Sequence, residues 1–229
     1  MCRRLSSALG SRGGCPGTRA EIEDLLVITF DATVEGADEV TGAGMPTIRI
    51  AGLVGSLRES SYNRALLRAA MALQPEGMEI VDVDLHSLPH YDDDLEQAGE
   101  SDAIRAFKDQ IAVADAVLFV TPEYNYSIPG ILKDAIDWGS RPSGKGPIRQ
   151  KPVAIMGSAT GMVGTRRAQL HLRSICTALD LWDMKKPEIT VASAASKFDG
   201  DGVLTDGETR DQLSVYLEAF AVWIDRFRS

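Results

Sequence analysis

A short polar segment after the first strongly apolar stretch carries side chains that are suited to binding an anion. It follows the apolar residues Ile48–Val54 and precedes a helical pattern at residues 61–73, and its polar members are Ser56, Arg58, Ser61 and Asn63. A loop between a strand and a helix N-terminus presents free N–H groups and the positive end of the helix dipole to a ligand. Hydroxyl and amide groups add neutral donors, and an arginine grips phosphate oxygens in pairs. The segment therefore predicts a phosphate-binding loop.

Two further loops follow apolar stretches and share a different chemistry. The first contains Pro122, Glu123, Tyr124 and Asn125, and the second contains Gly157, Ser158 and Gly161. In an open α/β sheet, ligands bind at the carboxyl ends of the strands, so we expect these loops to meet the phosphate loop there. Small residues let a flat ring approach the backbone, and amides meet its polar edge. Together the loops predict a site for a flat heteroaromatic ring with a phosphate tail.

The elements that must position these loops alternate between strands and helices from residue 47 onward. We predict strands at 48–54, 78–85, 116–120, 152–156 and 189–192, and helices at 61–73, 101–113, from 129, 166–179 and 212–227. Apolar residues recur every three or four positions in the helical segments, and the strand at 116–120 is continuously apolar, as in a sheet covered on both faces. This order predicts an α/β fold with a three-layer, doubly wound sheet of five parallel strands.

The first 44 residues differ in character from the rest. Arg3 and Arg4 precede a stretch that is too short and too polar for the apolar region of a signal peptide, and residues 36–44 are rich in glycine and small residues. We interpret residues 1–44 as an N-terminal extension that is either disordered or the result of an over-called translation start. Residues 45–229 then form the single folded domain.

Composition excludes several classes of partner. A formal net charge of −9 without a long Lys/Arg run argues against nucleic acid and against an anionic membrane. No apolar run approaches the roughly 20 residues that span a bilayer. Cys2, Cys15 and Cys176 form no disulfide framework, and neither they nor the histidines have metal-ligand spacing. We therefore expect a cytoplasmic protein without a metal site.

These motifs together resemble the NADPH-dependent FMN reductase family, which includes related quinone, chromate and azo-dye reductases. Three sets of residues carry the resemblance, which covers residues 47–193: Gly55 to Arg58 with Ser61 and Asn63; Pro122 to Ser127 with Pro129, Gly130 and the helix at 132–138; and Gly157-Ser158 with Arg166, Gln169, Leu172 and Arg173. The first two in this order and spacing are specific to the family, and either alone is only suggestive.

The resemblance implies a flavodoxin-like fold with sheet order 2-1-3-4-5 and bound FMN. Its phosphate would be held by Ser56, Arg58, Ser61 and Asn63; its isoalloxazine ring would be lined by Pro122, Glu123, Tyr124 and Asn125 and closed on the other side by Ser158 and Gly161. It also implies that NADPH, with NADH as a possible substitute, gives a hydride to flavin N5. The electrons then pass to a small-molecule acceptor: a flavin, a quinone, an azo compound or a metal oxyanion. The family further implies a homodimer or homotetramer. Because the flavin carries the chemistry, we name no catalytic acid or base.

Other interpretations remain beside this one. A phosphatase on a similar fold needs a nucleophilic cysteine where this chain has Gly52, so that chemistry is disfavoured. An FMN-binding electron carrier or redox sensor that does not oxidise NADPH is the alternative, although Arg58 and the Pro122 to Asn125 loop favour the reductase. We expect Glu123 to act through its backbone rather than its carboxylate, and Cys176 to be a small core residue.

Overall fold

The central sheet of the protein is parallel throughout. A computed structural model describes residues 47–228, so the predicted extension at 1–44 lies outside the described residues. The strands are β1 (Ile48–Val54), β2 (Met78–Asp82), β3 (Ala116–Val120), β4 (Pro152–Ser158), β5 (Trp182–Asp183) and β6 (Ile189–Val191). They are arranged in the order β2-β1-β3-β4-β5, with β6 also paired to β4. The predicted order 2-1-3-4-5, which is that of flavodoxin-like folds, is confirmed.

The fifth position of the sheet differs from the prediction, because two short strands share it. Near the start of β4, Pro152 is aligned with Trp182, and towards its end Met156 is aligned with Ile189. The chain between these strands contains Pro187, which has no N–H group to donate to a neighbouring strand. Pairing with β4 is therefore interrupted, and the predicted strand at 189–192 forms only the second half of this edge.

Helices cover both faces of the sheet, which confirms the three-layer architecture. They are α1 (Tyr62–Leu73), α2 (Asp93–Ala98), α3 (Asp102–Ala112), α4 (Gly130–Gly139), α5 (Arg166–Ala178) and α6 (Gly207–Asp225). Leu118 and Val120 of β3 join the core under α1 and α6, whereas Val117 and Phe119 join the core under α3, α4 and α5. Successive strand residues thus serve opposite faces, as the two-residue period of a strand requires.

One helix was not predicted and another begins earlier than predicted, and an aspartate carboxylate caps the N-terminus of each. Asp92 accepts a hydrogen bond from the N–H of Asp94 and begins α2, where the sequence suggested no helix. Asp206 accepts from the N–H of Thr209 at 2.9 Å, so α6 begins five residues before the predicted start at 212. None of the helices in residues 47–228 combines the length and apolar composition that a bilayer crossing needs.

Candidate functional site

The three loops meet in one cleft at the carboxyl edge of the sheet. Its volume is about 200 Å³, and its walls include eight of the ten predicted site residues: Ser56, Arg58, Ser61, Asn63, Pro122, Glu123, Tyr124 and Ser158. Tyr62, Ala159 and Thr160 complete the lining, and none of these three was predicted. The other two predicted residues, Asn125 and Gly161, lie in the same loops but outside the lining. The cleft forms because β1 and β4 both flank β3, so their ends are adjacent.

The phosphate-loop end of the cleft is built on the N-terminus of α1. The Oγ atom of Ser61 accepts hydrogen bonds from the N–H groups of Asn63 at 3.2 Å and Arg64 at 3.4 Å. This capping fixes where the helix begins and directs its positive end at the cleft. Because Ser61 uses its oxygen for the cap, its hydroxyl hydrogen is left to donate to a ligand.

Arg58 and Arg64 have different tasks in this loop. Arg64 donates from Nε to the carbonyl of Ser56 at 3.2 Å and forms an ion pair with Asp82 at 3.3 Å. Burial raises the pKa of Asp82, and the charge of Arg64 only partly offsets it. Arg58 is exposed and donates only to the carbonyl of Ser60 at 3.0 Å, and no described carboxylate lies within 4.0 Å of it. Arg64 thus holds the loop in shape, whereas the charge of Arg58 is available to an anion.

Asn63 joins the phosphate loop to β4. Its Nδ2 donates to the carbonyl of Ser158 at 2.9 Å, and its Oδ1 accepts from the N–H of Ser158 at 2.9 Å. The side chain is buried, and it satisfies both backbone groups of a residue that is 95 positions away. The phosphate contact predicted for Asn63 stays a prediction, and the structure adds a positioning role.

Ser158, which lines the cleft, has one side-chain polar atom without a described partner. Its residue is only 2% exposed, and within residues 47–228 its Oγ atom has no hydrogen-bond partner. Buried hydroxyls in folded proteins nearly always have a partner, because an unpaired one costs about 1–3 kcal/mol. A polar atom of a ligand in the cleft would supply the missing bond.

The aromatic loop at residues 122–128 is a tight turn that stands at the rim of the cleft. Tyr124 and Ser127 exchange two backbone hydrogen bonds of 2.9 Å, and the two residues between them, Asn125 and Tyr126, have φ angles of 51° and 67°. Such left-handed pairs are typical of two-residue turns, and asparagine tolerates them well. Tyr124 is half exposed beside the cleft, and Asn125 lies at the exposed tip.

The carboxylate of Glu123 caps a helix from another part of the chain. Its Oε2 atom accepts from the N–H groups of Arg167 at 3.0 Å and Ala168 at 3.2 Å, and its Oε1 lies 3.4 Å from the guanidinium of Arg167. Thr165, the residue at the start of α5, offers no side-chain cap of its own. From the sequence we expected only the backbone of Glu123 to act, and no local pattern could have indicated a helix cap supplied from 44 positions away.

Two glycines of the third loop differ in how much space surrounds them for a side chain. A Cβ atom on Gly157 would stand 2.2 Å from the carbonyl oxygen of Thr121 and 2.4 Å from Oγ1 of Thr165, so no side chain fits there. Around Gly161 such an atom would meet nothing within 4 Å. The loop itself is fixed by its backbone, because the carbonyl of Gly161 accepts from the N–H of Ser193 at 3.2 Å.

Comparison with known proteins decides the family. The model of the family described as NADPH-dependent FMN reductase matches residues 48–196, which include all three loops. The chain belongs to this family. The resemblance noted in the sequence is thereby confirmed.

Curated relatives of this chain match it over nearly their whole lengths. An NAD(P)H-dependent FMN reductase of Pseudomonas aeruginosa is 45% identical over 79% of this chain and 97% of its own. An NAD(P)H:quinone oxidoreductase of Solanum tuberosum is 48% identical over 77% of this chain and 93% of its own. Among solved structures, the NAD(P)H:(acceptor) oxidoreductase FerB of Paracoccus denitrificans has a TM-score of 0.73 at 36% identity, covering 79% of this chain and 98% of its own.

Proposed function

We propose that this protein is an oxidoreductase that binds FMN in the cleft and uses NADPH or NADH to reduce flavins or quinones. The observation that carries the proposal is the convergence of a charged loop and an unpaired buried hydroxyl on one cleft. Arg58 and Ser61 lie at one side, and Ser158, whose Oγ atom is buried without a described partner, lines the cleft from the end of β4. This donor set suits a ligand with a phosphate at one end and polar ring atoms at the other.

At the phosphate end, the chain binds through fixed donors. The N-terminus of α1, the hydroxyls of Ser56 and Ser61, and the guanidinium of Arg58 receive the phosphate of FMN. Arg64 keeps the loop closed through the carbonyl of Ser56, so these donors are held in place before the ligand binds. Binding therefore requires little ordering of the loop, so the entropic cost is small and the affinity for FMN is higher.

At the ring end, the loops form two walls. Pro122, Glu123 and Tyr124 line the ring from the loop after β3, and Ser158 approaches it from the end of β4. The ring contacts predicted for Asn125 and Gly161, which lie outside the lining of the cleft, stay predictions. FMN bound here supplies the redox chemistry by accepting a hydride from the nicotinamide and passing electrons to an acceptor. The chain orients the ring, and the hydroxyl of Ser158 donates to a polar atom at its edge.

Quinones are the acceptor class that we favour, together with free flavin. The relatives include a 2-hydroxy-1,4-benzoquinone reductase of Burkholderia, 42% identical over 77% of this chain, as well as the quinone oxidoreductase of Solanum tuberosum. In this chain Tyr124, which lines the cleft, is half exposed, and Tyr126 in the same loop is 70% exposed. Aromatic faces of this kind suit a flat acceptor that enters after the nicotinamide leaves.

We also propose a homodimer or homotetramer that functions in the cytoplasm. Four large side chains in the aromatic loop, in the loop after β4 and on α5 are exposed: Tyr126, Met162, Val163 and Leu170. Exposed apolar side chains of this size suit an interaction surface, and a second copy of the chain would cover them. Sedimentation of the protein gives its mass directly, and cell fractionation gives its location. A monomer at micromolar concentration would contradict the first proposal.

Anaerobic reduction tests the function. The protein loaded with FMN is mixed with NADPH or NADH, and bleaching of the flavin absorbance is followed before a quinone is added. We expect rapid bleaching and rapid reoxidation by the quinone. A flavin that binds but is not bleached by either nucleotide would indicate an electron carrier or a redox sensor instead.

Arg58→Ala tests the phosphate assignment. Loss of a charge-assisted phosphate contact costs about 1.5–3 kcal/mol, so the affinity for FMN is expected to fall by about tenfold or more. Riboflavin has no phosphate, and its affinity should be unchanged. Arg226→Ala is the matched control, because Arg226 is an exposed arginine that does not line the cleft and has no described carboxylate within 4.0 Å. Equal loss of riboflavin and FMN affinity would refute the assignment.

A further inference from the structure

A second cavity continues from the phosphate end of the cleft. It has a volume of about 530 Å³, and it shares four lining residues with the cleft: Arg58, Ser61, Tyr62 and Thr160. None of the residues of the aromatic loop lines it. A molecule in the cleft therefore reaches this cavity by extending past its phosphate, and a volume of this size accommodates a small-molecule group.

Two arginines, Arg58 and Arg68, line this cavity. Arg58 lines both spaces, and Arg68 lies two turns along α1 from the cap at Ser61. Arg68 is exposed, and among the residues at 47–228 no carboxylate lies within 4.0 Å of its guanidinium. Its Nη2 atom lies against Gly202, where an added Cβ would stand only 2.7 Å away and where φ is 75°. A glycine at this position thus leaves room for the guanidinium.

The remaining walls combine an aromatic ring with carboxylates. The ring of Tyr62 packs against Phe198 with centroids 5.6 Å apart, and it lines the cavity as well as the cleft. Asp199 and Asp201 belong to a turn in which Oδ1 of Asp199 accepts from the N–H groups of Asp201 and Val203, at 3.0 and 2.8 Å. Aromatic rings stack on nucleobases, and carboxylates in nucleotide sites accept hydrogen bonds from ribose hydroxyls.

We propose that this cavity receives the adenylate half of FAD, so that the protein binds FAD as well as FMN. The proposal rests on the proposed function, because it takes the flavin phosphate to lie at Arg58. The second phosphate of FAD then meets Arg68, the adenine meets Tyr62, and the ribose diol meets the carboxylates of Asp199 and Asp201.

The charges of the cavity favour FAD over the other adenine nucleotide at hand. NADPH carries a phosphate on its adenosine ribose, and here that group would face Glu59, Asp199 and Asp201 with only two arginines to balance them. Like charges repel, so an unmodified ribose is preferred. In addition, the nicotinamide must reach the flavin ring, whereas this cavity adjoins the phosphate end of the cleft.

Equilibrium dialysis of the full-length protein against FMN or FAD tests the proposal, with bound flavin measured by chromatography. We expect both flavins to bind once per chain and to displace each other. Arg68→Ala should weaken FAD about tenfold, as loss of one charge-assisted contact does, and change FMN affinity less than twofold. Arg226→Ala, the matched control, should change neither.

Three outcomes would overturn the proposal in distinguishable ways. If neither flavin binds, the proposed function fails together with it. If FMN binds and FAD does not, or if FAD binds equally well to Arg68→Ala, the adenylate site fails alone. If the FMN-loaded protein binds 2′,5′-ADP more tightly than 5′-AMP, and Arg68→Ala removes that difference, the cavity serves the 2′-phosphate of NADPH instead.

Discussion

The carboxylate of Glu123 joins the aromatic loop to the N-terminus of α5, and the effect of its replacement on stability can be estimated. The side chain is 11% exposed, it accepts two backbone N–H bonds from the first turn of α5, and it forms an ion pair with Arg167. A capping side chain contributes about 0.5–2 kcal/mol, and a negative charge at a partly buried helix N-terminus adds up to about 2 kcal/mol. We therefore expect Glu123→Ala to lower the free energy of unfolding by about 2–3 kcal/mol.

Glu123→Gln distinguishes the contribution of the charge to stability from that of the hydrogen bonds. A glutamine retains one acceptor oxygen for the N–H groups of α5 but loses the negative charge, so about 1 kcal/mol should be lost. For a domain of this size, 1 kcal/mol lowers the melting temperature by about 2–4 °C. Urea unfolding of the flavin-free protein measures both variants without any contribution from ligand binding.

Glu76→Gln is the control for this pair, because Glu76 is exposed in a turn and forms no described ion pair. It should change the free energy of unfolding by less than about 0.5 kcal/mol. If Glu123→Ala were no more destabilising than this control, the cap would contribute nothing and the reasoning would be refuted. If it were destabilising only when FMN is present, the carboxylate would act on the ligand and not on α5.

Two further predictions concern the walls of the cleft and the core beneath them. Gly157→Ala should prevent stable folding, because its Cβ would lie 2.2 Å from a backbone carbonyl, whereas Gly161→Ala should change the melting temperature by less than about 2 °C. Tyr216→Phe removes the 2.8 Å hydrogen bond to the carbonyl of Ile155 and should cost about 1 kcal/mol at pH 8. Burial raises the pKa of Tyr216 above its ordinary value of 10.0, so the unfolded chain loses that proton first and the stabilisation fades as the pH rises above about 10. Urea unfolding at pH 8 and pH 10.5 measures the difference between wild type and Tyr216→Phe; a difference that does not shrink would contradict this assignment.

The architecture was predictable because most of the strands have a recognisable pattern of apolar residues. The run Ala116–Val120 is apolar at every position, and the structure buries all five residues between two helical layers. Its neighbours carry the same signal, and a parallel sheet with right-handed crossovers leaves few possible strand orders. The family resemblance then selected one order from these, and that order is the one observed.

The split fifth strand position could not be predicted from the sequence. Trp182–Asp183 is only two residues long, so no alternation of apolar residues could predict it. Its pairing is decided by β4, whose seven residues leave space for a partner at both ends. Short edge segments of this kind follow from tertiary contacts, and a local pattern does not contain them.

The long-range contacts of the site were equally inaccessible from the sequence. The bond from Asn63 to Ser158 spans 95 residues, and the bond from Glu123 to Arg167 spans 44. From the sequence, we expected the side chain of Asn63 to contact the phosphate and Glu123 to act through its backbone. The sequence could not show that their hydrogen-bonding atoms are directed at neighbouring loops, because that depends on which strands are adjacent.

These hydrogen bonds divide the polar groups of the cleft into two kinds. Some are already bonded to the protein, and others keep hydrogen-bonding capacity for a ligand. Asn63 and Glu123 are directed mainly at backbone groups of the protein, so their removal is expected to act chiefly through the shape of the cleft. Arg58 and the hydroxyl of Ser158 have no comparable partner among residues 47–228, so they retain their capacity to bind. A fixed frame with a few unpaired donors lowers the entropic cost of binding a cofactor. Affinity for the flavin should therefore depend most directly on the residues that contribute least to the stability of the fold.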